Sequence, residues 1–342
     1  MRQRTIRFTS ILHRALRAAL AATLGALVLA ACGGGDSAQP PTLLVSNTLG
    51  NNVVSLNSDT GAYLGDFIAA NSGGLTSPDD MTVGPDGHLY VSSGTDTTGQ
   101  ILRYHGMTGA FIGVFAQGNG MKRPYGSAFG PDGHLYVASF RSDQILKFDG
   151  ETGAFVAEFA RGNGTADGLL NGPDSLSAGP DGYLYVTTQG SVADGNGGIT
   201  YLFDSQVLRY NVQTGAGAVF APAPVPTPGG KGYISFLGLA WGPDGLLYTT
   251  DYAGGIRSYD PSTGALQKTI DTGALFGGSI ATALGNLVIV GETLHVPVFN
   301  EDSSGNIVAN GVANCDITTA TCSLLVSDST HLIRPIGIVI AP

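Results

Sequence analysis

Basic residues are scarce in this sequence of 342 residues, which has 16 Lys and Arg against 26 Asp and Glu and a formal net charge of −10. Phosphate repels a chain this acidic, which argues against a nucleic-acid partner. Cysteine is also rare, with three residues, and the sequence has no Walker motif, dinucleotide-binding motif or Gly-x-Ser-x-Gly elbow. The sequence therefore offers no sign of nucleotide binding or of serine hydrolysis.

A long apolar run occurs only near the start, at residues 18–29, and it is too short for the roughly 20 residues that a membrane-spanning helix needs. Arginines precede it and Leu29-Ala30-Ala31-Cys32 follows, an order typical of a secretory signal. Cleavage of this leader would remove five arginines and no acidic residue, so the mature chain would carry a larger negative charge. They are Arg2, Arg4, Arg7, Arg14 and Arg17.

The Leu-Ala-Ala-Cys segment resembles a lipobox. The resemblance implies a signal peptide at residues 1–31, a lipid on Cys32, and a flexible linker at residues 32–41 rich in Gly and Pro. Gly33 after the cysteine, by similarity to proteobacterial lipoproteins, favours an outer-membrane lipoprotein facing the periplasm or the cell surface. The alternative is an ordinary cleaved signal with a chance cysteine.

Internal repeats dominate the remainder of the chain. The phrase Gly-Pro-Asp-Gly-x-Leu-Tyr begins at Gly84, Gly130, Gly179 and Gly242, with proline-to-proline spacings of 46, 49 and 63 residues. Such periods are typical of solenoids and propellers. Pro-Asp-Gly predicts a tight turn between two strands. A second phrase, Thr-Gly-Ala, recurs at residues 108, 152, 214 and 263 between alternating apolar runs and predicts a second hairpin.

Two hairpins per repeat predict blades of four antiparallel strands, A to D. Residues 43–46, 53–56 and 60–63 supply strands B, C and D of a blade that lacks strand A, and Arg334–Pro342 matches the strand A at Arg123–Pro131. We therefore predict an all-β fold at residues 42–342, a six-bladed β-propeller closed by its C-terminal strand. A seventh blade at residues 191–235 has no turn phrase to support it.

The sixth blade has lost its consensus turns. Gly291–Asn300 aligns without gaps on Gly84–Ser93, which places His295 at the position of His88. Cys315 and Cys322 bracket the place of Thr-Gly-Ala, and in an exported protein they are expected to form a disulfide. Metal binding by this pair is the alternative.

The two repeated phrases resemble NHL-type repeats and the wider six-bladed, TolB-like propeller group. The resemblance covers nearly all of residues 42–342, and it implies the fold but no single activity. In this group, binding surfaces surround the mouth of the central channel. There the residue after the opening of each strand A faces the axis. These residues are Asp79, Tyr125, Asp174, Leu237, Asn286 and Ile336.

Oxygen-bearing side chains occupy this position in alternate blades. Asp79, Asp174 and Asn286 are candidate ligands for a divalent cation such as Ca²⁺. The set resembles that of gluconolactonase-type propellers, which would make the protein a metal-dependent lactonase or hydrolase. Those enzymes also have a Glu early in the domain, which this chain lacks. The alternative is that these acids, with Asp80, only cap the channel mouth.

Blade 4 carries two insertions, at residues 191–198 and 221–231, on the channel-mouth face. Long loops grouped on one face are typical of binding surfaces. Tyr125, Phe203 and Tyr252 are the candidate ligand contacts, whereas Trp241 is expected to pack between blades. The turn aspartates and the repeated histidines are predicted to be structural.

We therefore expect a non-catalytic binding or scaffold lipoprotein. Its lipid would hold it to a membrane, and its partner would be an envelope protein, a peptide or a glycan.

Overall fold

Short antiparallel strands make up the described part of the chain, with very little helix. A computed structural model describes residues 40–165, 169–194, 198–227, 230–273, 275–277 and 282–342. The predicted signal peptide, Cys32 and the linker up to residue 39 lie outside the described residues. Helix in the described part is limited to the 3-10 turns Ser72–Gly74 and Phe140–Ser142. No helix in that part is long and apolar enough to cross a membrane.

The Gly-Pro-Asp-Gly phrases form the hairpin between strands A and B. The Gly84 N–H donates to the His88 carbonyl at 2.9 Å, and Gly87 has φ 72°, a conformation that glycine adopts without strain. The Asp86 carboxylate accepts hydrogen bonds from the His88 N–H at 3.1 Å and from the Tyr90 hydroxyl at 3.0 Å. The same Tyr-to-Asp bond recurs in the other three phrases. These aspartates are therefore turn residues, as predicted.

The Thr-Gly-Ala phrases form the hairpin between strands C and D. Asp149 Oδ1 accepts from the Thr152 N–H at 2.8 Å and from its hydroxyl at 2.7 Å, and Gly153 has φ 72°. An Asp or Asn holds the turn in the same way at positions 57, 211, 260 and 316. In five of the six blades the local signature is thus Asx-x-x-Thr followed by a residue with positive φ, and in blade 2 His105 takes the place of the Asx.

The strands assemble into six sheets, with strand A of each blade nearest the axis. Blade 1 contains β1 (Thr42–Asn47), β2 (Asn52–Asn57) and β3 (Tyr63–Ile68). Blade 2 contains β4 (Met81–Val83), β5 (Leu89–Thr95), β6 (Thr98–Tyr104) and β7 (Phe111–Gln117). Blade 3 contains β8 (Pro124–Phe129), β9 (Leu135–Ser139), β10 (Gln144–Phe148) and β11 (Phe155–Arg161).

The other three blades follow the same plan with local additions. Blade 4 contains β12 (Pro173–Ala178), β13 (Tyr183–Thr188), β16 (Val207–Asn211) and β17 (Gly217–Ala221), with β14 (Ser191–Ala193) and β15 (Ile199–Tyr201) as an extra hairpin. Blade 5 contains β18 (Phe236–Trp241), β19 (Leu247–Asp251), β20 (Ile256–Tyr259) and β21 (Leu266–Ile270). Blade 6 contains β22 (Ala283–Leu284), β23 (Val288–Val290), β24 (Thr293–Glu301), β25 (Ile307–Asp316) and β26 (Thr321–Ser327).

The C-terminal strand β27 (Pro335–Ile340) completes blade 1. It runs antiparallel to β1, with Leu43 opposite Ile340 and Val45 opposite Ile338. The closure predicted from the tail of the chain is confirmed, and the fold is a six-bladed β-propeller with four-stranded antiparallel blades. Pairing the two ends of the chain supplies blade 1 with the inner strand that it would otherwise lack.

Blade 6 departs from the predicted register. Its inner strand is split into β22 and β23, which both pair with β24. Val290 pairs with Thr293 across two residues, whereas the Gly84 N–H donates to the His88 carbonyl across three. The gap-free alignment of this region on blade 2 is therefore wrong, because the turn of blade 6 is one residue shorter.

His295 consequently does not occupy the place of His88. It lies within β24 opposite Val288 and is 3% exposed, and burial lowers its pKa. His88, by contrast, directly follows the A–B turn of blade 2.

The predicted disulfide is confirmed. Cys315 of β25 and Cys322 of β26 are cross-strand partners and are bonded to each other. They flank the C–D turn of blade 6, where Ala320 has φ 56° and takes the place of the glycine in other blades. The covalent link therefore supports a turn whose backbone is less favourable for alanine than for glycine.

Apolar side chains fill the spaces between neighbouring blades. One cluster joins Tyr136 of blade 3 to Leu184 of blade 4. Trp241 of β18 meets the Tyr185 ring edge-on, with centroids 5.1 Å apart, so it packs between blades 4 and 5 as predicted. Burial of these faces supplies the main force that holds the ring together.

Candidate functional site

The inner strands of all six blades surround a channel cavity of about 490 Å³. Where these strands begin, the channel narrows to a cavity of about 40 Å³, called here the channel mouth. All six residues that the repeat register places after the strand openings line it, together with Asp80, Tyr252 and Arg334. The six are Asp79, Tyr125, Asp174, Leu237, Asn286 and Ile336.

An interruption of the strand ladder frees these residues to face the axis. In blade 3, Pro124 pairs with Ser139 and the next pair is Ser127 with Val137, so Tyr125 lies outside the ladder. Blades 1, 4 and 5 have the same interruption. A bulge of this kind redirects side chains away from the regular pleat.

Glycine follows the inward-facing residue in blades 1, 3 and 5. A Cβ atom at Gly126 would lie 2.5 Å from the carbonyl oxygen of Asp174, and one at Gly337 would lie 2.8 Å from that of Asp79. Glycine therefore lets the polar openings of blades 2 and 4 approach their neighbours closely. This alternation of glycine with oxygen-bearing residues was available in the sequence and was missed.

Three aspartates are buried at the channel mouth. Asp79, Asp80 and Asp174 are 6%, 7% and 7% exposed. Asp79 Oδ1 accepts a hydrogen bond from the Thr48 hydroxyl at 3.2 Å, and Asp174 Oδ2 accepts one from the Gln189 amide at 2.5 Å. Their burial means that these carboxyls are largely removed from water.

Burial raises the pKa of all three carboxyls, because an ionised group is costly to remove from water. The pKa of Asp79 rises to about 6 despite the opposing effect of Arg123, and that of Asp80 rises to about 7. The pKa of Asp174 also rises well above its ordinary value, and the negative charges of Asp79 and Asp80 add to the effect of burial. Near neutral pH the cluster therefore retains protons.

The predicted metal ligands meet in one cavity, but they fit a cation only in part. Asp79 Oδ2 is buried and makes no hydrogen bond, as a vacant ligand atom would. Asn286, however, donates from Nδ2 to Asp80 Oδ1 at 2.8 Å, while its own Oδ1 accepts from the Leu287 N–H at 2.8 Å. Its amide oxygen is thus already engaged. In the described residues, no group of three or more His, Cys, Asp or Glu side chains is arranged to hold a metal ion.

An ion-pair network supports one side of the channel mouth. Arg123 Nε lies 3.7 Å from Asp79 Oδ2, and its Nη1 donates to Asp96 at 3.2 Å. Asp96 also accepts two hydrogen bonds from Arg141, at 2.9 and 2.7 Å. The network lowers the pKa of Asp96, with Arg141 as the largest cause. It links the openings of blades 2 and 3.

A wider cavity of about 730 Å³ opens beside the channel mouth and shares Tyr125, Tyr252 and Arg334 with it. The predicted ligand contacts Tyr125, Phe203 and Tyr252 all line it. Tyr201 and Tyr233 line it as well and are 61% and 47% exposed. Its volume lies within the range of small-molecule sites, and it is lined by aromatic rings and a few polar groups, as such sites are. We call it the aromatic cavity.

Both insertions of blade 4 form walls of the aromatic cavity. The first folds as the hairpin β14–β15 and leads to Phe203, whose N–H donates to the Gly190 carbonyl at 3.1 Å. The second contributes Pro224 and Pro226. Its Thr227 hydroxyl accepts from Arg257 Nη2 at 2.8 Å.

Arg257 ties the second insertion to the core of blade 5. It is 1% exposed and is paired with Asp251 Oδ2 at 3.0 Å. A buried ion pair thus positions one wall of the aromatic cavity.

The opposite wall is set by a polar contact between blades 5 and 6. The Tyr252 hydroxyl donates to Glu301 Oε2 at 2.6 Å, and Lys231 Nζ lies 3.3 Å from the same oxygen. Lys231 Nζ also lies 4.3 Å from the centroid of the Tyr252 ring. These contacts orient Tyr252 towards the aromatic cavity.

Sequence reasoning missed Arg334 as a site residue, although it used the segment to close the ring. The available signal was the pair of Arg-Pro steps at Arg123 and Arg334, which stand at the same repeat position. Both arginines have positive φ, 43° and 54°.

Comparison with known proteins supports the fold. No family model and no curated protein matches the sequence. One chain of a nidogen/laminin complex is similar in structure, with a TM-score of 0.60 and 14% identity over 88% of this chain and 98% of that one. A protein of unknown function from Bacteroides caccae has a TM-score of 0.58 and 11% identity over 87% and 98%. A protein from Lactobacillus plantarum has a TM-score of 0.54 and 15% identity over 87% and 98%. At these identities the likeness shows the β-propeller fold alone.

Proposed function

We propose that this protein is a binding module of the cell envelope that holds its ligand in the aromatic cavity. The observation that carries the proposal is the cavity of about 730 Å³, which two insertions of blade 4 wall off beside the channel mouth. Exposed aromatic rings such as Tyr201 and Tyr233 supply large contact areas at little entropic cost. The repeat phrases place the chain, in our proposal, with NHL-type and TolB-like propellers.

The lipobox-like segment Leu29-Ala30-Ala31-Cys32 supports a lipid anchor on Cys32 as part of this proposal. Cys32→Ser is expected to move the protein from the membrane fraction to the soluble fraction, and unchanged fractionation would contradict the anchor.

Arrays of glycans and short peptides test the binding proposal directly. We expect the wild type to retain a subset of the array and the double variant Tyr201→Ala/Tyr233→Ala to lose it. Phe111→Ala removes an aromatic ring that is 40% exposed on an outer strand, and it serves as the matched control. Equal retention by wild type and double variant, or loss in the control alone, would contradict a binding site in the aromatic cavity.

A metal-dependent hydrolase remains a second proposal. It is supported by the resemblance to gluconolactonase-type propellers and by Asp79 Oδ2, which is buried and accepts no hydrogen bond. Asp79 and Asp174 are the residues that would hold the cation, and its charge would offset the cost of burying both carboxylates. The engaged amide of Asn286 counts against the full set of three ligands.

A further inference from the structure

Arg334 stands at the border of the two cavities. Among the described residues that line the aromatic cavity and the channel mouth, it is the one Lys or Arg. Its guanidinium lies 5.6 Å from the centroid of the Phe299 ring, and the side chain is half-buried. Its positive charge acts on four groups around it, Asp79, Tyr125, Tyr201 and Tyr252.

The backbone holds Arg334 in a conformation that few non-glycine residues adopt. Its φ is 54°. Its N–H donates to Asn310 Oδ1 at 3.0 Å, and its carbonyl accepts from the Thr48 N–H at 3.1 Å. Hydrogen bonds from blades 6 and 1 therefore fix the position of the Arg334 backbone, from which the side chain projects. Backbone strain of this kind is frequent at functional sites.

Arg123 provides an internal comparison, because it occupies the same repeat position in blade 3. Its guanidinium is paired with Asp96 at 3.2 Å. Arg334 takes part in none of the ion pairs within 4.0 Å in the described part of the chain. Among the described residues, Arg123 thus has a carboxylate partner within 4.0 Å and Arg334 has none.

The carboxylate of blade 6 that matches Asp96 is engaged elsewhere. Ile289 pairs with Leu294 as Val83 pairs with Leu89, and Glu301 lies seven residues after Leu294 as Asp96 lies seven after Leu89. Glu301 is bound by Lys231 and Tyr252. Among the described residues, the ion pair that Arg123 makes with Asp96 therefore has no counterpart at Arg334.

We propose that Arg334 binds a carboxylate group of the ligand, whose ring-shaped body lies against the tyrosines of the aromatic cavity. A guanidinium matches the planar, singly charged carboxylate in a two-point contact. The net charge of −10 repels a phosphate, which can carry two charges, more strongly than it repels a carboxylate. The inference rests on the proposed binding function and specifies the chemical class of its ligand.

Two probe pairs that differ in the carboxylate test this inference. Benzoate is compared with benzamide, and glucuronate with methyl glucoside, in NMR titrations at millimolar concentration with the full chain. The first pair represents an aromatic acid and the second an acidic sugar. We expect at least one carboxylate to bind about tenfold or more tightly than its neutral partner, as a charge-assisted contact predicts.

The variants separate recognition from structure. Arg334→Gln is expected to abolish the preference for the carboxylate, and Arg334→Lys to keep part of it. Arg209→Gln removes a positive charge outside both cavities and is expected to leave the preference intact. Lack of any carboxylate preference in the wild type, or an unchanged preference in Arg334→Gln, would overturn the inference.

A third outcome would contradict the inference about Arg334 but not the proposed binding function. If Arg334→Gln changed only the pH dependence of stability, Arg334 would be a counter-ion for Asp79, and the inference would again be wrong. The array experiment with Tyr201→Ala/Tyr233→Ala judges the binding proposal independently of charge.

Discussion

Asp80→Asn tests the electrostatics of the channel mouth. Asp80 is 7% exposed, and burial raises its pKa to about 7 from the ordinary 3.8. The folded state therefore holds this proton more tightly than the unfolded state does, and ionisation of Asp80 lowers stability as the pH rises from about 4 to about 7. At 1.36 kcal/mol per pKa unit, the full difference corresponds to about 4 kcal/mol.

Asparagine retains the acceptor that the fold uses. Asp80 Oδ1 accepts from the Met81 N–H and from Asn286 Nδ2, both at 2.8 Å, and an amide oxygen accepts the same two bonds without carrying charge. We expect wild type and variant to be similarly stable at pH 4. At pH 8 the variant is expected to be more stable by up to about 4 kcal/mol, because only the wild type must ionise a buried group.

The assay is urea unfolding at pH 4, 6 and 8 with the disulfide intact, followed by the fluorescence of Trp241, the single tryptophan. Asp59→Asn, which changes an exposed acid on a turn of blade 1, is the control and is expected to have a small effect. The reasoning would be refuted if the difference in unfolding free energy between wild type and Asp80→Asn stayed constant from pH 4 to pH 8, or if the advantage of the variant grew as the pH fell.

Three further perturbations follow from the contacts described above. Arg257→Met leaves Asp251 buried without its cation, and we expect a loss of about 3–5 kcal/mol in urea unfolding, part of which Arg257→Met/Asp251→Asn restores; no recovery in the double variant would contradict this account. Replacing Cys315 and Cys322 by serine is expected to cost about 2–3 kcal/mol, measured against the wild type with and without reductant. An equal effect of reductant on both proteins would contradict that origin. If a cation binds at the channel mouth, Ca²⁺ raises the melting temperature of the wild type but not of Asp174→Ala, and no shift in the wild type would count against the metal proposal.

The fold was predictable because each blade repeats its local chemistry. The backbone conformation of an Asx turn or a Pro-Asp-Gly turn depends on a few adjacent residues. A hairpin can therefore be predicted wherever the phrase Gly84-Pro85-Asp86-Gly87 is repeated. Counting these hairpins predicts six blades and leaves the C-terminal strand to pair with β1. The alignment of blade 6 failed because its consensus turn is missing and a turn shortened by one residue cannot be read from the strand pattern alone.

The repeat register also predicted which residues face the channel mouth, because one position per blade meets the axis. It could not predict what those residues do there. Asn286 binds Asp80, and Glu301 is bound by Lys231 and Tyr252. In the described residues Arg334 has no carboxylate within 4.0 Å. These contacts depend on distances between blades that are far apart in sequence. Sequence by itself determined the ring and its inward positions, since local turns and periodicity encode them. Only the tertiary structure decided the protonation of the buried aspartates, the pairing of the polar side chains and the availability of the Arg334 charge, because these follow from burial and from contacts made across the ring.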